Sequence, residues 1–175
     1  MKKVFLLFLC SFLTLQAQPE VTSLEVFKTI NERLSYMEDV ATYKANNHIA
    51  IEDIQREKIV VEKAKEFGSG LGFEPEIIED FFYAQISVAK AIQYRYRAEL
   101  LSHPSNQKPR DLQKVIRPAL IRLGNRIMEL IAAYCKKYGK FNQAQFTEFK
   151  EAITVKYVKE ADKELLFRVL LKIKL

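Results

Sequence analysis

Arg33 and Lys44 stand eleven residues apart. On an α-helix that spacing turns the chain through about 1100°, three turns plus roughly 20°, so both cations look the same way from points roughly 16 Å apart along the axis. Met37 and Val40 fall on the same line between them. Asp53, Arg56, Glu57 and Val60 make a second line on the following segment, at steps of three, one and three. Ionised groups on core-facing stripes are expensive to desolvate unless something pairs with them. Two cations on one inward line, and a third beside two carboxylates on the next, point to an anionic polar ligand. Such a set binds carboxylates and donates hydrogen bonds, and it contains no nucleophile. The sequence has no HExxH, no paired CxxC and no Gly-x-Ser-x-Gly, and His48 and His103 fall in loops or at helix ends, where they read as solvated. Metal-centred or triad hydrolysis therefore has no visible apparatus.

The elements that must carry these residues read as helices throughout. Leu24, Phe27, Ile30, Leu34, Met37 and Ala41 recur every three or four residues, the mark of a helix with one buried face. Thr22-Ser23-Leu24-Glu25 resembles a capping box that starts it, and Asn46-Asn47 break it after about Lys44. A second helix is expected over 51–67, stopping at Gly68-Ser69-Gly70-Leu71-Gly72. Those glycines read as a helix stop and turn, because a phosphate loop would need a preceding strand. Pro75 opens a third helix that runs to about Leu101. Its stripe holds Ile78, Phe81, Phe82, Ala89, Ile92 and Tyr96, and also Gln85 and Gln93, which share a face with Ala89. The two amides are either core hydrogen-bonders or ligand contacts. Residues 103–109 read as a loop, and Arg117-Pro118 kinks or restarts a fourth helix that ends near Gly139. Two shorter helices follow in 141–175, and no strand pattern of any length occurs.

Bulk properties narrow the class. Lys2 and Lys3, the apolar run Val4–Leu15 and the small residue Ala17 read as a secretory signal peptide over 1–17, too short for a bilayer anchor. Cleavage after Ala17 leaves one all-α domain, 18–175, and lowers the formal charge from +6 to +4. Acids and bases are interspersed, so nucleic acid is not an expected partner. With Cys10 removed, only Cys135 remains, which excludes an intramolecular disulfide and reads as a small buried residue.

The pattern Arg33, Lys44, Asp53, Arg56, Glu57, followed by AQISVAKAIQYRYRAEL, resembles the AroQ class of chorismate mutases. With the leader and the helices after residue 105 it is most similar to the secreted, gamma subclass. The likeness is close over 24–101, weaker over 110–130 and uninformative after 139. It implies an all-α fold of about six helices, with a catalytic core at about 24–130 and an extension at 139–175. It also implies a cofactor-free, metal-free pericyclic conversion of chorismate to prephenate in a periplasmic or secreted protein. Carried over residue by residue, Arg33 and Arg56 match positions that contact the substrate carboxylates. Lys44 and Gln93 match the two donors to the ether oxygen, and Asp53 and Glu57 match acidic positions near the substrate hydroxyl and the cationic heads. Arg117 is the candidate for a further arginine from the fourth helix. Ala89 stands where the family has Ser or Thr, and Val60 replaces a polar residue of some relatives. Some secreted relatives carry a C-terminal disulfide that Cys135 alone cannot form. A homodimer is left open, with LLFRVLLKIKL either covering its interface or closing the monomer core. The alternative function is an exported helical module that binds a small dicarboxylate without catalysis.

Overall fold

The computed structural model describes residues 21–104 and 107–175, so the expected leader over 1–17 lies outside the described residues. Seven α-helices and no strand occur among them: α1 Ser23–Ser35, α2 Met37–Asn46, α3 Ile54–Leu71, α4 Pro75–Ser102, α5 Arg117–Tyr138, α6 Phe146–Ala152 and α7 Glu160–Leu170. Counting α1 and α2 as one path, these are the six expected helices. The capping box is formed, with Glu25 N–H donating to Thr22 Oγ1 at 3.3 Å and Thr22 N–H to Glu25 Oε2 at 3.1 Å. Only Tyr36 separates α1 from α2. It keeps right-handed helical angles, and its carbonyl accepts from Val40 N–H at 3.1 Å, so the apolar stripe passes from one segment to the next. Phe27, Ile30, Leu34, Met37 and Ala41 are buried as their spacing requires.

The glycine stretch corrects an expectation. Helix α3 does not stop at Gly68 but continues to Leu71, one turn further. Gly68 is a packing residue: a Cβ there would lie 2.8 Å from Ile78 Cγ1 on α4. Gly72 is the terminator, with φ +98°, and the Phe73 N–H reaches back to the Gly68 carbonyl at 3.1 Å. The short turn that follows lets α4 fold back along α3, and α4 also packs against α2 and α7.

The fourth helical segment begins with a π-helical turn, Leu112–Ile116, and the α-helix restarts at Arg117, one of the two outcomes expected at Arg117-Pro118. Asp111 caps this turn by accepting from the N–H groups of Gln113 at 2.8 Å and Lys114 at 2.7 Å. Its carbonyl accepts from Ile116 N–H five residues on, at 3.0 Å. Helix α5 runs straight on from it, with Pro118 in its first turn where a missing N–H costs little.

The C-terminal segment closes the core of the single chain. Phe149, Leu166, Phe167, Leu170 and Ile173 are buried with residues of α1, α4 and α5. Phe27 meets the Phe149 ring edge-on at 5.1 Å and the Phe167 ring at 6.4 Å. Cys135 is buried and unbridged, and burial pushes its thiol up to about 11.

The glycines of α3 give a two-signed prediction. Gly68→Ala should destabilise by about 1–3 kcal/mol, because the new methyl overpacks against Ile78. Gly70→Ala, with nothing within 4 Å of its Cβ, should stabilise by roughly 0.5 kcal/mol through the unfolded state. Urea unfolding of the two variants measures both.

Candidate active site

A cavity of about 170 Å³ opens between the end of α1, α2, α3, α4 and the π-turn with the first half of α5. Arg33, Met37, Val40 and Lys44, the line drawn from the sequence, all face it. So do Asp53, Arg56, Glu57 and Val60 from α3 and its cap, Ala89 and Gln93 from α4, and Arg117. The structure thus brings every residue of the expected site to one place. Six cations line the cavity against two carboxylates, which makes it a receptor for an anion of more than one charge.

Arg33 is 6 % exposed and has no carboxylate partner among the described residues. Its Nη1 donates to Gln85 Oε1 at 3.4 Å, its guanidinium lies 5.8 Å from the centre of the Phe82 ring, and its Nε has no partner. Burial lowers its pKa to about 10, still far above neutrality. Lys44, 7 % exposed, donates from Nζ to the Ile51 carbonyl at 2.5 Å. Burial pushes its pKa down, and the nearby Asp53 and Glu57 charges oppose that shift.

Gln93 is held from α4 itself. Its Nε2 donates to the Ala89 carbonyl one turn back at 3.2 Å and to Met37 Sδ at 3.6 Å, a weak acceptor, while its Oε1 is buried without a partner. An orphaned buried polar group of this kind costs about 1–3 kcal/mol. Gln85 Nε2, Arg33 Nε and Gln93 Oε1 are three such atoms among the described residues. Ala89 contributes no side-chain donor, only a wall.

The acids do two jobs at once. Asp53 is the N-cap of α3, accepting from Arg56 N–H at 3.2 Å through Oδ1, and its Oδ2 faces Arg117 Nη2 at 3.5 Å. Glu57 reaches back to the Asp53 N–H at 3.3 Å through Oε1, and its Oε2 pairs with Lys90 at 3.0 Å. Asp53 caps the helix start and Glu57, one position beyond N3, accepts from the cap residue's own N–H, so each carboxylate keeps one oxygen for a cation. Arg117 Nη1 is steadied by Gln113 Oε1 at 2.8 Å, from the π-turn. The Arg56 guanidinium has no acceptor within hydrogen-bonding reach among the described residues.

Lys63 and Lys90 are the lining cations that sequence reasoning missed, and Lys90 is the one with a partner in the site. It follows Ala89 directly, one position off the Gln85–Ala89–Gln93 face, and its partner Glu57 is 33 residues away, so no spacing flagged it. Arg122 and Arg126, the other arginines of α5, are exposed and do not line the cavity. Among the described residues no group of three or more His, Cys, Asp or Glu side chains could hold a metal ion.

The family profile described as chorismate mutase type II matches residues 22–94, the stretch that supplies all of these residues except Arg117. The secreted chorismate mutase of Yersinia pestis is 39% identical over 165 residues, covering 94% of this chain and 88% of its own. This chain belongs to the type II chorismate mutase family. The monofunctional chorismate mutase of Enterobacter agglomerans is 33% identical over 168 residues, covering 95% of this chain and 92% of its own. The crystal structure of the Yersinia pestis protein superposes with a TM-score of 0.80, over 86% of this chain and 97% of that one. The all-α chorismate mutase fold, the AroQ type, thus extends beyond the profile match into the helices after residue 105.

The double use of Asp53 can be separated by substitution. Asp53→Ala removes the cap and should cost about 1 kcal/mol of stability, whereas Asp53→Asn keeps a good cap and should cost a few tenths. Denaturant unfolding distinguishes the two, and equal losses would show that the Arg117 contact, not the cap, carries the stability.

Proposed function

We propose that this cavity is where the chain rearranges chorismate to prephenate, with Arg33, Arg56 and Arg117 on the substrate carboxylates and Lys44 with Gln93 on the ether oxygen. The observation that carries this reading is that Arg33, Lys44 and Gln93 are buried on inward faces of α1, α2 and α4, with no carboxylate in ion-pair contact among the described residues, around one cavity. Buried cations left unpaired in this way suit a ligand that brings the negative charge with it.

The reaction breaks one C–O bond and forms one C–C bond within a single molecule, so no nucleophile and no proton carrier is required. The chain supplies orientation and electrostatics. Arginine forks on the two carboxylates hold the reacting ends in the compact conformer, which converts a rare geometry into the bound one. Negative charge grows on the ether oxygen as the C–O bond breaks. Lys44, already fixed by the Ile51 carbonyl, presents its remaining N–H groups to that oxygen, and Gln93 exchanges its weak bond to Met37 sulfur for it. Asp53 and Glu57 hold Arg117 and Lys90 at the rim and leave lone pairs for the substrate hydroxyl. The reading treats 24–130 as the catalytic core and 139–175 as support, since the latter supplies no cavity residue. It also places the protein outside the cytoplasm, in the periplasm or secreted, in keeping with the leader pattern of 1–17 and the likeness to a secreted relative.

Loss of chorismate absorbance on adding purified protein tests the reading at its simplest, and binding without turnover would make the protein a dicarboxylate-binding module. Lys44→Ala should lower kcat by about 100- to 1000-fold with the helical fold intact. Near-normal turnover in that folded variant would remove Lys44 from the ether oxygen. Arg117→Ala should raise KM strongly, and Lys at 117 should rescue only partly because it cannot form a fork. Arg122→Ala should behave as wild type; the reverse order would move the anion contact to another turn of α5.

A further inference from the structure

Gln85 lies on α4 one turn before Ala89, wholly buried, and behind the cavity rather than in its wall. Its Oε1 is the acceptor that meets the Arg33 guanidinium, at 3.4 Å, and its own Nε2 has no partner. The rest of the Arg33 socket is not an acceptor at all: it is the Phe82 ring at 5.8 Å and the bare backbone of Gly124, where even a Cβ would stay 4.0 Å from Nε.

A carboxylate at position 85 has the same shape and would be the ordinary way to hold a buried guanidinium. It would replace the orphaned Nε2 by an oxygen and would pair the charge. The chain instead keeps an amide and tolerates two unpartnered donors in one spot, Arg33 Nε and Gln85 Nε2. An amide orients a guanidinium through a single acceptor without neutralising it, whereas a carboxylate would occupy the fork and compete with an incoming carboxylate.

We propose that Gln85 is a positioning residue that fixes Arg33 while leaving its charge uncompensated, so that the guanidinium stays available to a carboxylate of the substrate. The inference rests on the assignment of Arg33 to such a carboxylate.

Gln85→Glu and Gln85→Met separate this role from that of a core hydrogen-bonder. A purely structural residue would suffer more from Met, which has no comparable acceptor, than from Glu, which keeps one. The proposal requires the opposite order in binding: Gln85→Glu should raise KM for chorismate by about 10- to 100-fold, the range of a competing charge-assisted hydrogen bond, with kcat changed far less. Gln85→Met should raise KM less than Glu does while melting at a lower temperature. Both effects should vanish when Arg33 is already Ala. Wild-type KM in folded Gln85→Glu, or a loss that persists in the Arg33→Ala background, overturns the proposal. Should the Glu variant fail to fold, the Met variant decides alone: a KM rise that disappears with Arg33→Ala supports the role, and wild-type KM refutes it. Wild-type KM in Arg33→Ala itself is a separate result, which would remove the carboxylate assignment and this inference with it.

Discussion

Two cations are buried in this fold with no carboxylate in ion-pair contact among the described residues, though Asp53 and Glu57 lie near enough to Lys44 to act on its charge. Arg33 leans on an amide and a phenyl ring, and Lys44 on one backbone carbonyl. Taking an ion out of water without pairing it is among the most costly things a fold can do. The rest of the molecule is arranged so that the cost is borne without collapse. The aromatic cluster of Phe27, Phe149 and Phe167 and the buried C-terminal residues build a continuous apolar core on the other side of α1 and α4. That core fixes the helices whose inner faces must not relax toward each other.

The cavity is held open by local chemistry at helix starts. Asp53 and Glu57 cap α3 and in doing so set their free oxygens beside Arg117 and Lys90. The cap of the π-turn, Asp111, fixes the turn from which Gln113 steadies Arg117. Each acid thus ties a piece of backbone to a cation at the rim, while the deeper cations are left unpaired. This division, with Arg117 and Lys90 paired and Arg33, Lys44 and Arg56 not, is what the proposed role in holding a dianion requires.

Much of this was legible in the sequence. The eleven-residue step from Arg33 to Lys44 survives the small interruption at Tyr36 because that residue keeps helical angles, so the predicted line is the observed one. The α4 face of Gln85, Ala89 and Gln93 follows from four-residue spacing, and the structure divides its two amides between a supporting place and the cavity. What failed did so for physical reasons. The stretch Gly68–Gly72 was read as a stop and turn, which Gly72 provides, but the helix was ended one turn early because Gly68 serves to let Ile78 approach, a contact between helices that no local pattern records. Nor does any local pattern mark the π-turn at Leu112–Ile116, which holds an extra residue just before Arg117. Lys90 was missed because its partner lies on another helix.

If the cavity is strained by its own unpaired charge, a dianion that fits should relieve the strain. The most direct measurement is the unfolding temperature of the protein with and without prephenate, the dianionic product, in wild type and in Arg33→Ala. Wild type should melt progressively higher as prephenate is raised past its dissociation constant, as binding to the folded state alone requires, and Arg33→Ala should show a much smaller rise. An unchanged melting temperature at saturating prephenate, or an equal rise in Arg33→Ala, would contradict the role given to the buried cations.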